Sequence, residues 1–240
     1  VLDREGLLAN FTRDTGITLP GEQVSRLEDY IRLLQEYNQK VKLTAITAEE
    51  EIWRKHVLDS LLIFLALEIP AGARLVDVGT GAGIPGLLLK IYRPDLRVVL
   101  VESQRKKVTF LEEVVAKLGL QHIECLWSRA EELGRQEGYR ESFDLAVARA
   151  LAGMNTLVEY CLPLVRVGGS MVAYKGPGGE EELEAAARAI RMLGGKTGAV
   201  WRGRLPGGLE ERMLITIRKE TPTPALYPRR PGMPAKRPLA

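Results

Sequence analysis

Cysteine and histidine are nearly missing from this 240-residue chain, which has two of each. Cys125 and Cys161 lie in separate apolar stretches and read as small core residues, so the expectation is a reduced, cytoplasmic protein. His56 and His122 stand alone, without the Cys/His spacing of a zinc site, and no metal is expected. The sequence also lacks an amino-terminal signal pattern and any apolar run of transmembrane length, so a soluble protein with no membrane partner is expected. No internal repeat is present. Neither sign of charge dominates, since the formal net charge is +3. The distribution is uneven, however. From Lys219 to Ala240 the chain carries Arg229, Arg230, Lys236 and Arg237 against the lone acid Glu220. That tilt suits a polyanionic partner, with a merely solvated tail as the alternative.

What is present is an ordinary globular composition, 45% hydrophobic and 27% charged, enough to bury a full core. The chain is organised around Leu75-Val76-Asp77-Val78-Gly79-Thr80-Gly81-Ala82-Gly83-Ile84-Pro85-Gly86. Leu75, Val76 and Val78 form the short apolar run of a strand buried on both faces. Gly79, Gly81 and Gly83 permit positive φ values and let a ligand approach the backbone, and Pro85 fits the first turn of a following helix. A turn of this kind at the carboxyl end of a parallel strand is a nucleotide site. Gly81 to Gly86 also satisfies the dinucleotide pattern, so a nicotinamide-dependent oxidoreductase stays open, as does a turn that only packs a helix on a strand. Asp77 favours S-adenosylmethionine. Its carboxylate suits the ligand's ammonium group and is badly placed for a pyrophosphate. Glu102 ends the next strand, where it can accept from both ribose hydroxyls, with Ser103 beside it. Thr80 and Ile84 complete the turn.

Before the glycine strand the chain reads as a helical extension over residues 1–70, with one apolar stripe of Val24, Leu27, Ile31 and Leu34. Thr47-Ala48-Glu49-Glu50 has capping-box form and predicts the start of a further helix, or of a pair broken near His56. Residues 71–220 alternate strand and helix as a doubly wound sheet does. Predicted strands run over 97–102, 123–127, 143–148 and 170–174, with helices over 85–92, 104–118, 153–163 and 180–193. Ser128-Arg129-Ala130-Glu131 again has capping-box form, while opening on the same cleft. Arg149, a charge at a buried strand's end, suits a ligand carboxylate or Asp144, and Lys175 is placed in a glycine-rich loop to meet substrate. Strands near 196–202 and 212–217, around Leu205-Pro206-Gly207-Gly208, predict an antiparallel edge hairpin. Residues 221–240 form a basic, proline-rich tail, expected to be extended and to lack a core of its own.

Several motifs together resemble the bacterial 16S ribosomal RNA guanine-N7 methyltransferase G family, also called glucose-inhibited division protein B. They are Lys55-His56 with Asp59-Ser60, the glycine turn, Arg129-Ala130-Glu131, Ala148-Arg149-Ala150, Lys175-Gly176 and Tyr227-Pro228-Arg229-Arg230-Pro231-Gly232. The likeness covers almost the whole chain. It implies an α/β, Rossmann-like class I methyltransferase, a mostly parallel sheet with an antiparallel edge hairpin and an amino-terminal helical extension. The expected reaction is transfer of a methyl group from S-adenosylmethionine to guanine N7 in the 530 loop of small-subunit ribosomal RNA. The implied partner is 16S ribosomal RNA or the small subunit, and a monomer is expected. By motif, Gly79, Ile84, Ala130, Glu131 and Arg149 match donor-site positions. Where the family usually carries an asparagine before Leu-Thr, this chain has Lys42, which keeps a donor and adds a charge. No general base is expected, because guanine N7 carries a lone pair and no proton. Arg149 and Lys175 are expected to position the cleft and substrate, and Lys42, Lys175, Arg229, Arg230, Lys236 and Arg237 to meet RNA. Three alternatives remain open: the nicotinamide-dependent oxidoreductase, a small-molecule methyltransferase and a non-catalytic ribosome assembly factor.

Overall fold

The computed structural model describes residues 3–205, 208 and 210–239. Two helices open the chain, α1 (Arg4–Thr15) and α2 (Gly21–Asn38). In α2 the residues Leu27, Tyr30, Ile31 and Leu34 recur at helical spacing and are all buried against the domain. A second helical run is built from short pieces: α3 (Glu49–Ile52), a π-helix (Trp53–Leu58), α4 (Asp59–Leu61) and α5 (Ile63–Ala66). Its start is where the sequence predicts it, but Ala48 is the N-cap and no side chain caps it, so Thr47 does not close a capping box.

The rest alternates as expected: β1 (Arg74–Val78), α6 (Gly86–Tyr92), β2 (Arg97–Glu102), α7 (Arg105–Lys117), β3 (Ile123–Trp127), α8 (Ala130–Leu133), β4 (Phe143–Arg149) and α9 (Met154–Cys161). There follow β5 (Val165–Lys175), α10 (Gly179–Ala185), α11 (Ala187–Met192), β6 (Gly195–Arg204), β7 (Glu211–Lys219) and α12 (Met233–Lys236). The seven strands form one sheet in the order β3-β2-β1-β4-β5-β7-β6. β1 pairs in parallel with both β2 and β4, and chain order reverses between them, which opens a crevice at the strands' carboxyl ends. β7 pairs antiparallel with β5 and with β6, giving the expected hairpin at the edge. Its predicted turn residues Pro206 and Gly207 lie outside the described residues.

Two apolar layers cover the sheet. Leu75, Val98, Leu100 and Leu145 face the amino-terminal helices, whereas Val76, Val78, Val99 and Ala146 face α9 and α11. That alternation is the two-residue period of strands buried on both faces. Two departures from the sequence reading have local causes. β5 starts at Val165, because the strand continues through Gly168-Gly169 with a register shift opposite Phe143 and Leu145. The single helix predicted over 180–193 is two, divided at Ala186. The tail adds to the second layer: Tyr227 and Pro234 are buried, and Arg140 donates to the carbonyls of Tyr227 and Thr223 at 2.8 and 2.7 Å.

Candidate functional site

The glycine turn leaves β1 through Gly79, with φ of 69°, and its N–H donates to the Val101 carbonyl at 2.9 Å, joining it to β2. A side chain on Gly79 would lie 2.5 Å from Leu151 Cδ1, so its bare backbone is what lets Leu151 sit over the turn. Gly81, with φ of 58°, faces open space and donates to Glu102 Oε2 at 3.1 Å. Glu102 also accepts from the Gln104 N–H at 2.8 Å, so its buried carboxylate fixes the turn and the start of α7 together. Tyr30 of α2 donates to the Ala82 carbonyl at 2.9 Å. The amino-terminal extension thereby touches the turn directly.

Gly79, Ser103, Ser128, Ala130, Glu131 and Leu151 line a cavity of about 100 Å³ at the carboxyl ends of β1, β2 and β3, closed further by Arg129 and Tyr160. Nucleotide-sized ligands need roughly 300 Å³ or more. Leu151 covers Gly79 while remaining 39% exposed, and it follows Ala150, whose φ is 52°. Bare backbone at Gly79 and the side chains of Ser103 and Ser128 border the cavity, with the Glu102 carboxylate behind the turn. Sequence reasoning missed Leu151 and Tyr160; the one signal was a large apolar residue two positions after Arg149 at the strand end.

Several expected contacts are corrected. Asp77, expected to meet a ligand ammonium group, is not among the residues that line the cavity. Strand alternation puts it on the Leu75 face beneath α6, fully buried, where Oδ2 accepts from Thr80 Oγ1 at 2.6 Å and from the Gly86 N–H at 2.7 Å. Burial raises its pKa from 3.8 to about 6, partly offset by those two hydrogen bonds, and Oδ1 has no partner. Thr80 is consumed by the same contact. A Cβ on Gly83 would lie 2.7 Å from that of Leu87, so Gly83 serves close packing of α6, and Ile84 is buried in the core. Neither Gly83 nor Ile84 lines the cavity. The capping box near β3 is also displaced by one residue: Arg129 is the N-cap and its N–H approaches Glu132 Oε2 at 3.4 Å. Glu131 instead accepts from the Gly232 N–H at 2.8 Å, which anchors the tail beside the cavity.

Arg149 is not among the cavity's lining residues and does not pair with Asp144. Its Nη1 donates to Asp59 Oδ2 and to the Lys55 carbonyl, each at 2.7 Å, and Nη2 meets His56 Nδ1 at 2.8 Å. Asp144 lies at the other end of β4 and binds Arg166 and the Arg74 N–H. A guanidinium only donates, so His56 Nδ1 accepts and Nε2 carries the hydrogen toward Thr44 Oγ1, 3.0 Å away. Burial first, then Arg149, lowers the His56 pKa from 6.5 to about 4. Asp59, 3% exposed, also accepts from Arg212 Nε at 2.8 Å. Lys55, His56 and Asp59 of the motif are therefore Arg149's partners, the first two carried on a π-helix, a form that often marks functional sites, and Asp59 on the α4 turn that follows it.

Lys175 is likewise engaged. Its ammonium donates to the Ala152 carbonyl at 2.9 Å and to Glu182 at 2.7 Å, holding the loop that carries Leu151. Arg229 forks onto Glu159, which is fully buried, with the closest contact at 2.6 Å, so it docks the tail and is not free for RNA. Lys42, Arg230, Lys236 and Arg237 are exposed.

The family model described as rRNA small subunit methyltransferase G matches residues 23–204, from α2 through β6. The chain belongs to this family. A curated Ribosomal RNA small subunit methyltransferase G from Moorella thermoacetica is 71% identical over 237 residues, covering 99% of each chain. Members of the methyltransferase G family thus share this chain's full extent, tail included. Solved structures of lower identity agree on the fold. Precorrin-6y C5,15-methyltransferase from Geobacter metallireducens aligns with a TM-score of 0.51 at 13% identity, over 75% of this chain and 92% of its own. A mutant of the 16S rRNA (adenine(1408)-N(1))-methyltransferase from Catenulisporales acidiphilia aligns with a TM-score of 0.52 at 17% identity, over 63% of this chain and 87% of its own. The methyltransferase G fold here is accordingly the Rossmann-like α/β sheet of class I methyltransferases.

Proposed function

We propose that this chain transfers the methyl group of S-adenosylmethionine to N7 of a guanine in the 530 loop of 16S ribosomal RNA, without a general base. The observation that carries the reading is the near-full-length identity to a small-subunit ribosomal RNA methyltransferase, joined to a cleft at the β1, β2 and β3 ends. Bound there, S-adenosylmethionine supplies an electrophilic methyl group on a sulfonium. Gly79 and Gly81 present backbone to it, Glu102 faces the ribose side, and Ser103, Ala130 and Glu131 border the adenine side. The N7 lone pair forms the new bond as the methyl–sulfur bond breaks, and the positive charge passes from sulfur to the base. No proton moves, so the chain supplies alignment and a polar setting.

The protein's ionisable groups agree with that economy. His56 Nδ1, the natural candidate base, is occupied by the Arg149 guanidinium, and His122 precedes β3 at the opposite end of the sheet. Burial pushes the Cys125 thiol up to about 12 and raises Cys161 further, so neither is a nucleophile at neutral pH. The target must be an unpaired guanine, because N7 in an A-form duplex lies in a groove too narrow for side chains. Exposed Lys42, Arg230, Lys236 and Arg237 would hold phosphates and add salt-dependent affinity. A metal-free, cytoplasmic monomer is proposed from the sequence and the family resemblance; separately, among the described residues no metal-ligating cluster occurs and no helix is long and apolar enough to cross a membrane.

The test is methyl transfer from labelled S-adenosylmethionine to small subunits and to naked 16S RNA from cells lacking the modification, followed by nucleoside analysis. Label in 7-methylguanosine mapped to the 530 loop is expected. Label in another nucleoside would refute the N7 assignment, and donor binding without transfer to either RNA would favour a small-molecule methyltransferase.

A further inference from the structure

We infer that Trp127 is a stacking platform for an unpaired base of the RNA substrate, with Arg105, Lys106 and Arg129 as its phosphate contacts. The inference rests on the reading of the substrate as a single-stranded region of ribosomal RNA. Trp127 ends β3, the edge strand of the sheet, in register with Glu102 on β2, and so stands on the rim of the donor cavity. It is 61% exposed, a high value for so large an apolar side chain. Its ring is nonetheless held. Indole Nε1–H donates to the Ser103 carbonyl at 3.0 Å, and the Arg105 guanidinium carbon lies 5.7 Å from the ring centroid. An indole anchored through its one polar atom, with most of its surface in water, is pre-organised to receive another flat ring.

Charge around the ring selects the partner. Arg105, Lys106 and Arg129 are exposed. Of the nearby acids, Glu112 forms an ion pair with Arg105 at 3.7 Å, while Glu132, which accepts from the Arg129 N–H, and Glu124, which accepts from Tyr139 Oη at 3.0 Å, keep their charge, so the phosphate contacts fall chiefly to Lys106 and Arg129. The tail is tied to Glu131 through Gly232, which brings the segment containing exposed Arg230 to the same rim. An exposed aromatic among cations is how proteins hold single-stranded nucleic acid, by base stacking along an electropositive path. Trp127 does not line the cavity itself, which separates it from the donor's adenine side.

The test uses the full chain and a short single-stranded oligoribonucleotide, with binding followed by tryptophan fluorescence and by competition. Trp127→Ala should weaken oligonucleotide binding by about 5- to 150-fold, the range for loss of one stacked base. Trp127→Phe should restore most of that affinity, and S-adenosylmethionine affinity should stay within about twofold in both variants. Unchanged oligonucleotide affinity in Trp127→Ala would overturn the inference. So would an equal loss of S-adenosylmethionine affinity, which would assign the ring to the donor. Because binding is read without methyl transfer, failure of the transfer reaction would count against the proposed function and leave the platform standing on its own measurement.

Discussion

The two flanks of the cleft use their charges in opposite ways. On the β2 and β3 side, Glu102 and Glu131 accept from backbone N–H groups of Gly81, Gln104 and Gly232, and the surfaces they shape remain open to the cavity. On the β4 and β5 side, charged side chains meet one another: Asp59 joins Arg149 to Arg212, and Lys175 meets Glu182. Cations there are spent on architecture. A charge at the end of a buried strand therefore marks the cleft's frame as readily as its ligand, and only the partner decides which.

The largest expected break in this contrast is on the saturated side. Asp59→Ala would strand two guanidiniums beside a buried site, and chemical denaturation should show a loss of about 3–5 kcal/mol. Arg149→Ala leaves Arg212 on the carboxylate and should cost less, about 2 kcal/mol. Equal losses would mean that Asp59 does not act as the shared hub.

Next in size is a pair of opposing titrations, each on the order of 3 kcal/mol. The folded-state pKa of His56 is lowered from 6.5 to about 4, so its contribution is present above pH 6.5 and lost as pH falls through 4. Asp77 is raised from 3.8 to about 6, so its contribution is present below pH 3.8 and lost as pH rises through 6. Thermal denaturation of His56→Gln should therefore show stability rising on acidification from pH 6 to 4, and of Asp77→Asn should show it falling. Parallel profiles for the two variants would contradict the assignment of opposite signs.

The smallest effect belongs to the open flank. Leu151→Ala removes the side chain that covers Gly79, and calorimetry should find S-adenosylmethionine binding tighter by about 1 kcal/mol, near fivefold. Weaker binding would make Leu151 a ligand contact and not a cover.

Much of the architecture was legible because its signals are local. Apolar runs ending at glycine or an acid located β1 and β2, the capping-box pattern after Trp127 bounded β3, and the glycine turn located the cleft. The predicted fifth strand, 170–174, began too late, because β5 starts at Val165 and runs through Gly168-Gly169. The π-helix has no composition of its own to betray it. Side-chain partners were least legible, because they lie far apart along the chain. Arg149 and Asp59 are 90 residues apart, and Arg229 and Glu159 are 70 apart, so neither cation revealed that its charge was already matched. Asp77 was hard to read for a different reason: it lies at the turn, as its position in the sequence says, but the strand's alternation points it inward, onto Thr80 and Gly86.

The central claim, a methyl transfer that needs alignment and no base, is tested most directly by single-turnover transfer to small ribosomal subunits between about pH 6.5 and 9. With the guanine lone pair as nucleophile and His56 held neutral by burial and by Arg149, the rate should be flat across that range. A rate that climbs tenfold per pH unit to a plateau would reveal an essential base and contradict the account.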